Sequence, residues 1–274
     1  IIIGRSLANS SYSLINLIVV YIKKLIIFVK ITNMKIYILY EGGLPYSENA
    51  MYAALGFTKM GYEVIPIYDL RELDDNHDPE DIVFAGIGNV LYRLETQLGL
   101  NKPEEICYPE ELNYLLGRKV EVTTYADIVN DHSKPSFIKP YGTTKYFNGC
   151  VVEHFRDLPT ADLSTKIYKS ELVNFVTEYR CFILRGKIMG AKHYKGDFSV
   201  GFDRKVLEDA VEKYTTAPIA YSLDLGVDEM GRTLLVECND SHSMGHYGLN
   251  PSFYARMISA RWAQMTNTKD YLEV

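Results

Sequence analysis

Residues 221–227 and 233–239 are two short β-like runs on either side of the turn Asp228-Glu229-Met230-Gly231-Arg232, and together they read as a hairpin. Side chains alternate across a strand. Ser222, Asp224 and Gly226 therefore share one face of the first run, and Glu237 and Asn239 share a face of the second. Closure of the hairpin is expected to set Asp224 opposite Glu237. Two facing carboxylates repel and weaken a strand pair. A divalent cation turns that repulsion into attraction, and Asp, Glu and Asn offer hard oxygen ligands that suit Mg²⁺ with waters and substrate phosphates. The plainer reading is a solvated sheet face that happens to carry acids.

Groups that could meet phosphate lie elsewhere. Phe137-Ile138-Lys139-Pro140 closes an apolar strand with a lysine, and the loop 141–149 that follows holds Gly142, Thr143, Thr144, Lys145 and Gly149. Backbone N–H groups and charge in such a loop can cradle phosphate oxygens. Glu178-Tyr179-Arg180 lies on a strand. A three-residue turn at Arg185-Gly186-Lys187 would set Lys192 opposite Arg180, and a two-residue turn would not. Arginine offers a two-pronged fork, lysine a point charge. His242 and His246 follow the acidic strand and could bind substrate or move protons, or simply sit in water.

These residues need elements to position them. Residues 35–40 form an apolar run that reads as a buried strand, followed by a helix over 48–60 capped by Ser47 and ended by Gly61. A second strand is expected over 62–70, a solvated polar loop over 71–81, a third strand over 82–85 and a helix over 89–100. Strand and helix alternating at this spacing predict a parallel α/β unit. Gly86-Ile87-Gly88 has Leu91 where a dinucleotide loop needs its third glycine, and no phosphate-binding P-loop motif occurs. Beyond residue 118 the pattern changes to short strands (120–124, 136–140, 150–153, 178–184, 187–194) with helices near 125–131, 203–214 and 251–265. The last, with Phe253, Met257, Ile258 and Trp262, reads as core packing.

Hydrophobic residues make up 47% of the 274, charged residues 23%, with 19 Gly and 10 Pro. That excludes a disordered or collagen-like chain and allows one to three domains. The formal charge of −6 gives no reason to expect a nucleic-acid partner. Residues 1–33 hold Arg5, Lys23, Lys24 and Lys30 and no acid, so setting them aside takes the −6 to −10. A spanning helix needs about 20 mostly apolar residues, and two central lysines cost about 2.5–3.5 kcal/mol each. A signal peptide would place its charges before the apolar run. The segment is expected to be an extension ahead of Met34, with membrane contact only as a surface anchor if it is genuine. Cys107, Cys150, Cys181 and Cys238 form no C-x-x-C pair and no disulfide framework, which points to a reducing, cytoplasmic compartment.

Taken in order, the motifs resemble the ATP-grasp family of ATP-dependent ligases, most closely its compact phage and bacterial members. The matching residues are Phe137-Ile138-Lys139-Pro140, the Gly/Thr loop to Gly149, Lys169-Ser170-Glu171-Leu172-Val173, Glu178-Tyr179-Arg180, Ser222-Leu223-Asp224 and Val236-Glu237-Cys238-Asn239, within about residues 118–262. The resemblance implies an α/β and α+β chain: an ATP-grasp fold preceded by a Rossmann-like α/β domain. The divisions would be 34–117 for the preceding domain, 118–173 for the central lid part and 174–274 for the part carrying the metal hairpin. It implies ATP and Mg²⁺ as ligands. Lys139 and Lys145 would meet the phosphates, Glu171, Leu172 and Val173 the adenine, and Glu178 the ribose. Asp224, Glu237 and Asn239 would hold Mg²⁺, and Arg180 and Lys192 would stabilise the transferred phosphoryl group. His242, His246 and Tyr247 are the candidate substrate contacts, and the loop 141–149 would act as a lid.

The implied activity is ADP-forming ligation of a small-molecule or peptide carboxylate to an amine through an acyl phosphate. Kinase-like transfer to a hydroxyl and a non-catalytic nucleotide-binding module are the alternatives. Two departures stand out. The family's upstream nucleotide-binding lysine has no clear counterpart, and Ser241-His242-Ser243-Met244 replaces the Pro-Gly pair that often follows the E-x-N segment.

Overall fold

The computed structural model describes Val19 and residues 34–131, 133–142 and 146–273. The expectations for residues 1–33 therefore lie, Val19 apart, outside the described residues, and so does that for Lys145. Among the described residues no helix is long and apolar enough to cross a membrane. Three four-stranded sheets follow one another along a mixed α/β chain.

In the first sheet β1 (Ile36–Glu41) lies between β3 (Val64–Ile67) and β4 (Ile82–Phe84) and runs parallel to both, while β2 (Leu44–Pro45) pairs antiparallel with its far end. Ile36, Ile38, Ile67 and Ile82 are almost wholly buried, as expected of parallel strands covered on both faces. Helix α1 (Glu48–Lys59) starts where Ser47 Oγ accepts from the Ala50 N–H.

Three expectations are corrected in this region. The second strand covers only β3, because Tyr62 turns into the core and Leu70 belongs to a 3₁₀ turn, Leu70–Leu73. The helix expected over 89–100 begins earlier, as α2 (Ile87–Tyr92), and continues as a π turn, Arg93–Gln97. The polar stretch 71–81 is not a plain solvated loop. It wraps the buried Arg93, whose guanidinium donates to the carbonyls of Leu73 and Asp78 at 3.3 Å and to Asn76 Oδ1 at 3.1 Å. A buried cation needs such partners, and here the loop backbone supplies them.

The second sheet has the order β5-β8-β6-β7, from β5 (Val120–Thr124), β6 (Ser136–Pro140), β7 (Cys150–Val152) and β8 (Lys166–Ser170). Helix α3 (Tyr125–Asn130) follows β5, and Tyr125, Ile128, Ile138, Val152 and Ile167 form its small core. The third sheet has the order β10-β9-β11-β12, from β9 (Phe175–Leu184), β10 (Lys187–Gly196), β11 (Ala220–Asp228) and β12 (Thr233–Asp240). One face of it is apolar: Cys181, Ile183, Leu223, Leu225 and Cys238 pack with Leu207 of α4 (Arg204–Lys213). The period-2 alternation sends the charged residues to the other face.

Helix α5 (Pro251–Thr266) closes the first sheet. Tyr254, Met257, Ile258 and Trp262 share one core with Ile36, Phe57 and Phe84, so Trp262 packs as expected. Helices α1 and α5 meet at Gly56, where an added Cβ would lie 2.1 Å from the Pro251 carbonyl oxygen. Backbone cannot retreat as a flexible side chain can. Gly56→Ala is expected to cost about 3 kcal/mol, the upper part of the usual overpacking range, seen as a lower urea midpoint with an unchanged slope.

Candidate active site

The β11–β12 hairpin pairs Asp224 with Glu237 and Ser222 with Asn239, but not by symmetric closure. The turn pairs Val227 with Thr233 and Leu225 with Leu235, which would set Asp224 opposite Val236, and an irregularity between Asp224 and Leu225 shifts the ladder by one and brings Glu237 there. On the other side of β11, Arg180 pairs with Asp224, and beyond it Lys192 pairs with Arg180. Directly paired residues share a face, so Lys192, Arg180, Asp224 and Glu237 form one line of charge across four strands. The route to this register differs from the expected one. Leu184 pairs with Lys187, so the β9–β10 turn has two residues, Arg185 and Gly186, and an irregularity between Ile188 and Gly190 shifts the ladder by one and brings Lys192 opposite Arg180.

The facing acids are answered first by the protein's own cations. Arg180 grips Asp224 with two prongs, Nε at 2.8 Å from Oδ1 and Nη2 at 2.7 Å from Oδ2, and these side chains are only 6% and 2% exposed. Burial pushes the Asp224 carboxyl up to about 6 against the pull of Arg180. Lys139 descends from β6, its Nζ 2.6 Å from Glu237 Oε2, in contact with Cys107 Sγ and 4.7 Å from the Tyr108 ring centre. Burial lowers the Lys139 pKa, but Cys107 and Glu237 more than offset it and hold the ammonium well above the ordinary lysine range. Burial opposes ionisation of Glu237 as well, and Lys139 and Asn239 together hold it below the usual carboxylate range.

Asn239 Nδ2 stands 3.1 Å from Glu237 Oε1 and 3.4 Å from Asp224 Oδ2. Two carboxylates and one amide are a hard-oxygen set of the kind Mg²⁺ takes. The fit requires the amide to turn its oxygen inward and Glu237 to exchange Lys139 for the metal. No cluster of three or more His, Cys, Asp or Glu placed for a metal occurs among the described residues.

A cleft of about 340 Å³ runs between the second and third sheets. Its walls include Glu105, Cys107, Lys139, Glu237, Asn239 and His242. Several predicted residues lie off these walls. Glu171, Leu172 and Val173 form the link from β8 to β9. Glu178, two residues before Arg180 on the same face, is buried and accepts from the Tyr194 hydroxyl and from Lys195 Nζ, both at 2.6 Å. Tyr247 lays its ring 4.6 Å from the Arg180 guanidinium and stacks on Tyr194. His242, by contrast, lines the cleft, buried with Nδ1 2.7 Å from Asp240 Oδ1.

His246 is not in solvent either. It stacks on Tyr52 at 3.6 Å, its Nδ1 accepts from the Gly248 N–H at 2.9 Å, and its Nε2 is 3.3 Å from Glu48. It therefore ties the loop after β12 to α1. Burial lowers its pKa, with Glu48 pulling the other way. A group whose folded pKa is lowered stabilises the fold while neutral and loses that contribution as pH falls below its unfolded range, about 6.5 for histidine. The melting temperature is thus expected to fall between pH 7 and 5, and less steeply in His246→Asn.

Sequence reasoning missed Cys107, Tyr108 and Arg118. Arg118 donates to the Leu235 and Val236 carbonyls at 2.8 and 3.0 Å and to Ser170 Oγ at 3.3 Å, which fastens the second sheet to the third. These residues sit in irregular connections, where no period marks them; only a lone arginine at the head of a predicted strand could have hinted at the role.

Comparison with known proteins completes the picture. The family model described as an ATP-grasp domain, the second family of its clade, matches residues 115–257. Among solved structures, the ADP complex of purK, an N5-carboxyaminoimidazole ribonucleotide synthetase, is similar with a TM-score of 0.51 at 14% identity, over 87% of this chain and 78% of that one. The D-alanine–D-alanine ligase of Bacillus anthracis is similar with a TM-score of 0.48 at 13% identity, over 85% and 98%. No curated protein matches the chain. Since the matched residues carry Lys139, the charged line across β9 to β12 and the hairpin acids, the chain belongs to the ATP-grasp family.

Proposed function

We propose that the cleft binds ATP with Mg²⁺ and that the chain is an ADP-forming ligase joining a carboxylate to an amine through an acyl phosphate. The observation that carries this reading is the meeting of Lys139, from one sheet, with Glu237, the strand partner of the buried Asp224, at the wall of an open cleft. Polyphosphate entering there competes with Glu237 for Lys139, and the freed carboxylate is then available to a metal. Asp224, Glu237 and Asn239 would hold Mg²⁺, which when bound neutralises phosphate charge. Lys139, with Lys145 nearby in sequence, would draw the phosphates. Glu171, Leu172 and Val173 would offer backbone groups to adenine, and a ribose hydroxyl would replace Lys195 or Tyr194 on Glu178.

Catalysis of phosphoryl transfer is mostly positioning and charge neutralisation. Lys192 and Arg180 would stabilise the transferred group, Arg180 also fixing Asp224. His242, His246 and Tyr247 mark the substrate end, His246 by anchoring that loop. The reading accords with the ligase names of structurally similar proteins, which at this identity speak for fold alone.

The test is ADP release that requires both a carboxylate and an amine, screened over amino acids and peptides. A phosphorylated product formed without amine would show a kinase instead, and binding without turnover a nucleotide-binding module. As a first measurement, ATP is expected to raise the melting temperature with Mg²⁺ present and to lose that effect with EDTA, since a ligand that binds only the folded state stabilises it.

A further inference from the structure

One cleft wall carries a buried histidine with an unengaged nitrogen. His242 is 4% exposed. Its Nδ1 faces Asp240 at 2.7 Å, and Arg261 of α5 clamps Asp240 in turn through Nε at 2.9 Å and Nη2 at 2.6 Å. Arg261 is steadied by Gln264 Oε1 at 2.6 Å from its Nη1. A carboxylate at Nδ1 keeps the proton of the neutral ring on that nitrogen and leaves Nε2 a bare acceptor. Both ring nitrogens are buried and neither completes a hydrogen bond: Nδ1 has only its close approach to the Asp240 carboxylate, and Nε2 has no partner. Such atoms are rare and costly, and each asks for a reason. The ring lines the same cleft as Glu237 and Asn239, three residues beyond Asn239.

We propose that His242 is the proton acceptor for the amine substrate, with Asp240 and Arg261 as its positioning residues. This rests on the ligase reading above. In the step it serves, the neutral amine nitrogen attacks the acyl-phosphate carbon. The new C–N bond forms, the C–O bond to phosphate breaks with its electron pair leaving on phosphate, and the surplus N–H proton passes to Nε2.

The experiment compares two nucleophiles with the full chain, ATP and Mg²⁺. The carboxylates are the standard amino acids and their N-acetyl forms. The amines are the free amino acids, read as amide by mass spectrometry. The second nucleophile is hydroxylamine, unprotonated at neutral pH and far less in need of a base, read as hydroxamate by its ferric colour. General-base assistance is worth at least about 100-fold, so in His242→Gln amide formation is expected to fall by that factor. Hydroxamate formation should fall far less, raising the hydroxamate-to-amide ratio about 100-fold. The proposal is overturned if both products fall in step or if amide formation is unchanged.

Should His242→Gln not fold, His242→Ala is assayed with added imidazole. Dose-dependent return of amide supports the proposal, and no return while hydroxamate still forms overturns it. A wild-type chain that makes neither product removes the ligase reading itself, an outcome distinct from one in which the wild type makes both and the variant is unselective.

Discussion

Lys139→Ala is expected to lower carboxylate-dependent ADP release by at least about 100-fold, the usual effect of removing one preorganised charge from a phosphoryl or oxyanion site. Two consequences combine. On the proposed reading the phosphates lose a point charge that sits in a low-dielectric groove, with Nζ over the Tyr108 ring. Glu237 loses the cation at 2.6 Å that answers its charge, so the acid pair repels until a metal arrives. Apparent Mg²⁺ demand should therefore fall, since the metal no longer competes with Lys139 for Glu237, even as kcat/KM is lost. Lys139→Arg is not expected to rescue, because a planar fork does not fit where a compact ammonium contacts both Glu237 Oε2 and Cys107 Sγ. The measurement is steady-state ADP release on folded protein. A loss of less than about threefold would remove Lys139 from the phosphate site.

The second large effect is on stability. Arg180→Ala is expected to cost about 3–5 kcal/mol, because it strands a buried carboxylate. Asp224 is 2% exposed and both its oxygens take their charge-assisted bonds from Arg180. Against a total of about 5–15 kcal/mol for a folded domain, that loss places the variant near unfolding at ordinary temperature. The double replacement Arg180→Met with Asp224→Leu removes both charges together and is expected to recover most of the stability, since apolar residues often substitute for a buried pair without penalty. It should recover no activity. Urea midpoints of the single and double variants decide the matter: equal destabilisation by both would show that the pair's charge is not what holds this part of the sheet.

Much of this site was legible in the sequence because strands obey a period of two. Alternation sent Cys181, Leu223 and Cys238 to the apolar face and put Asp224 and Glu237 on one hairpin, but their direct pairing needs the irregularity beside Asp224. What alternation cannot carry is depth. Asp224 and Arg180 read as an acid for a metal and a base for a phosphate; packing makes them one buried pair. The register of Lys192 depended on an irregularity near Met189, which leaves no mark in residue types. Arg93, in the middle of a predicted helix, reorganised a loop twenty residues upstream, a contact no local pattern announces. His246 reached α1 across nearly the whole fold for the same reason.

The core shared by the first sheet and α5 has a consequence during synthesis. The strands of that sheet can pair as soon as residue 84 has left the ribosome, yet Ile36, Phe57 and Phe84 gain their cover only when Met257 and Trp262 emerge. At 5–20 residues per second, that is an interval of roughly 10–35 s in which an apolar sheet face waits for a partner from the other end of the chain. A fragment limited to residues 115–257 keeps the acids and Lys139 but ends inside α5 and lacks the sheet that helix packs against. The nascent chain thus has a defined window for chaperone capture.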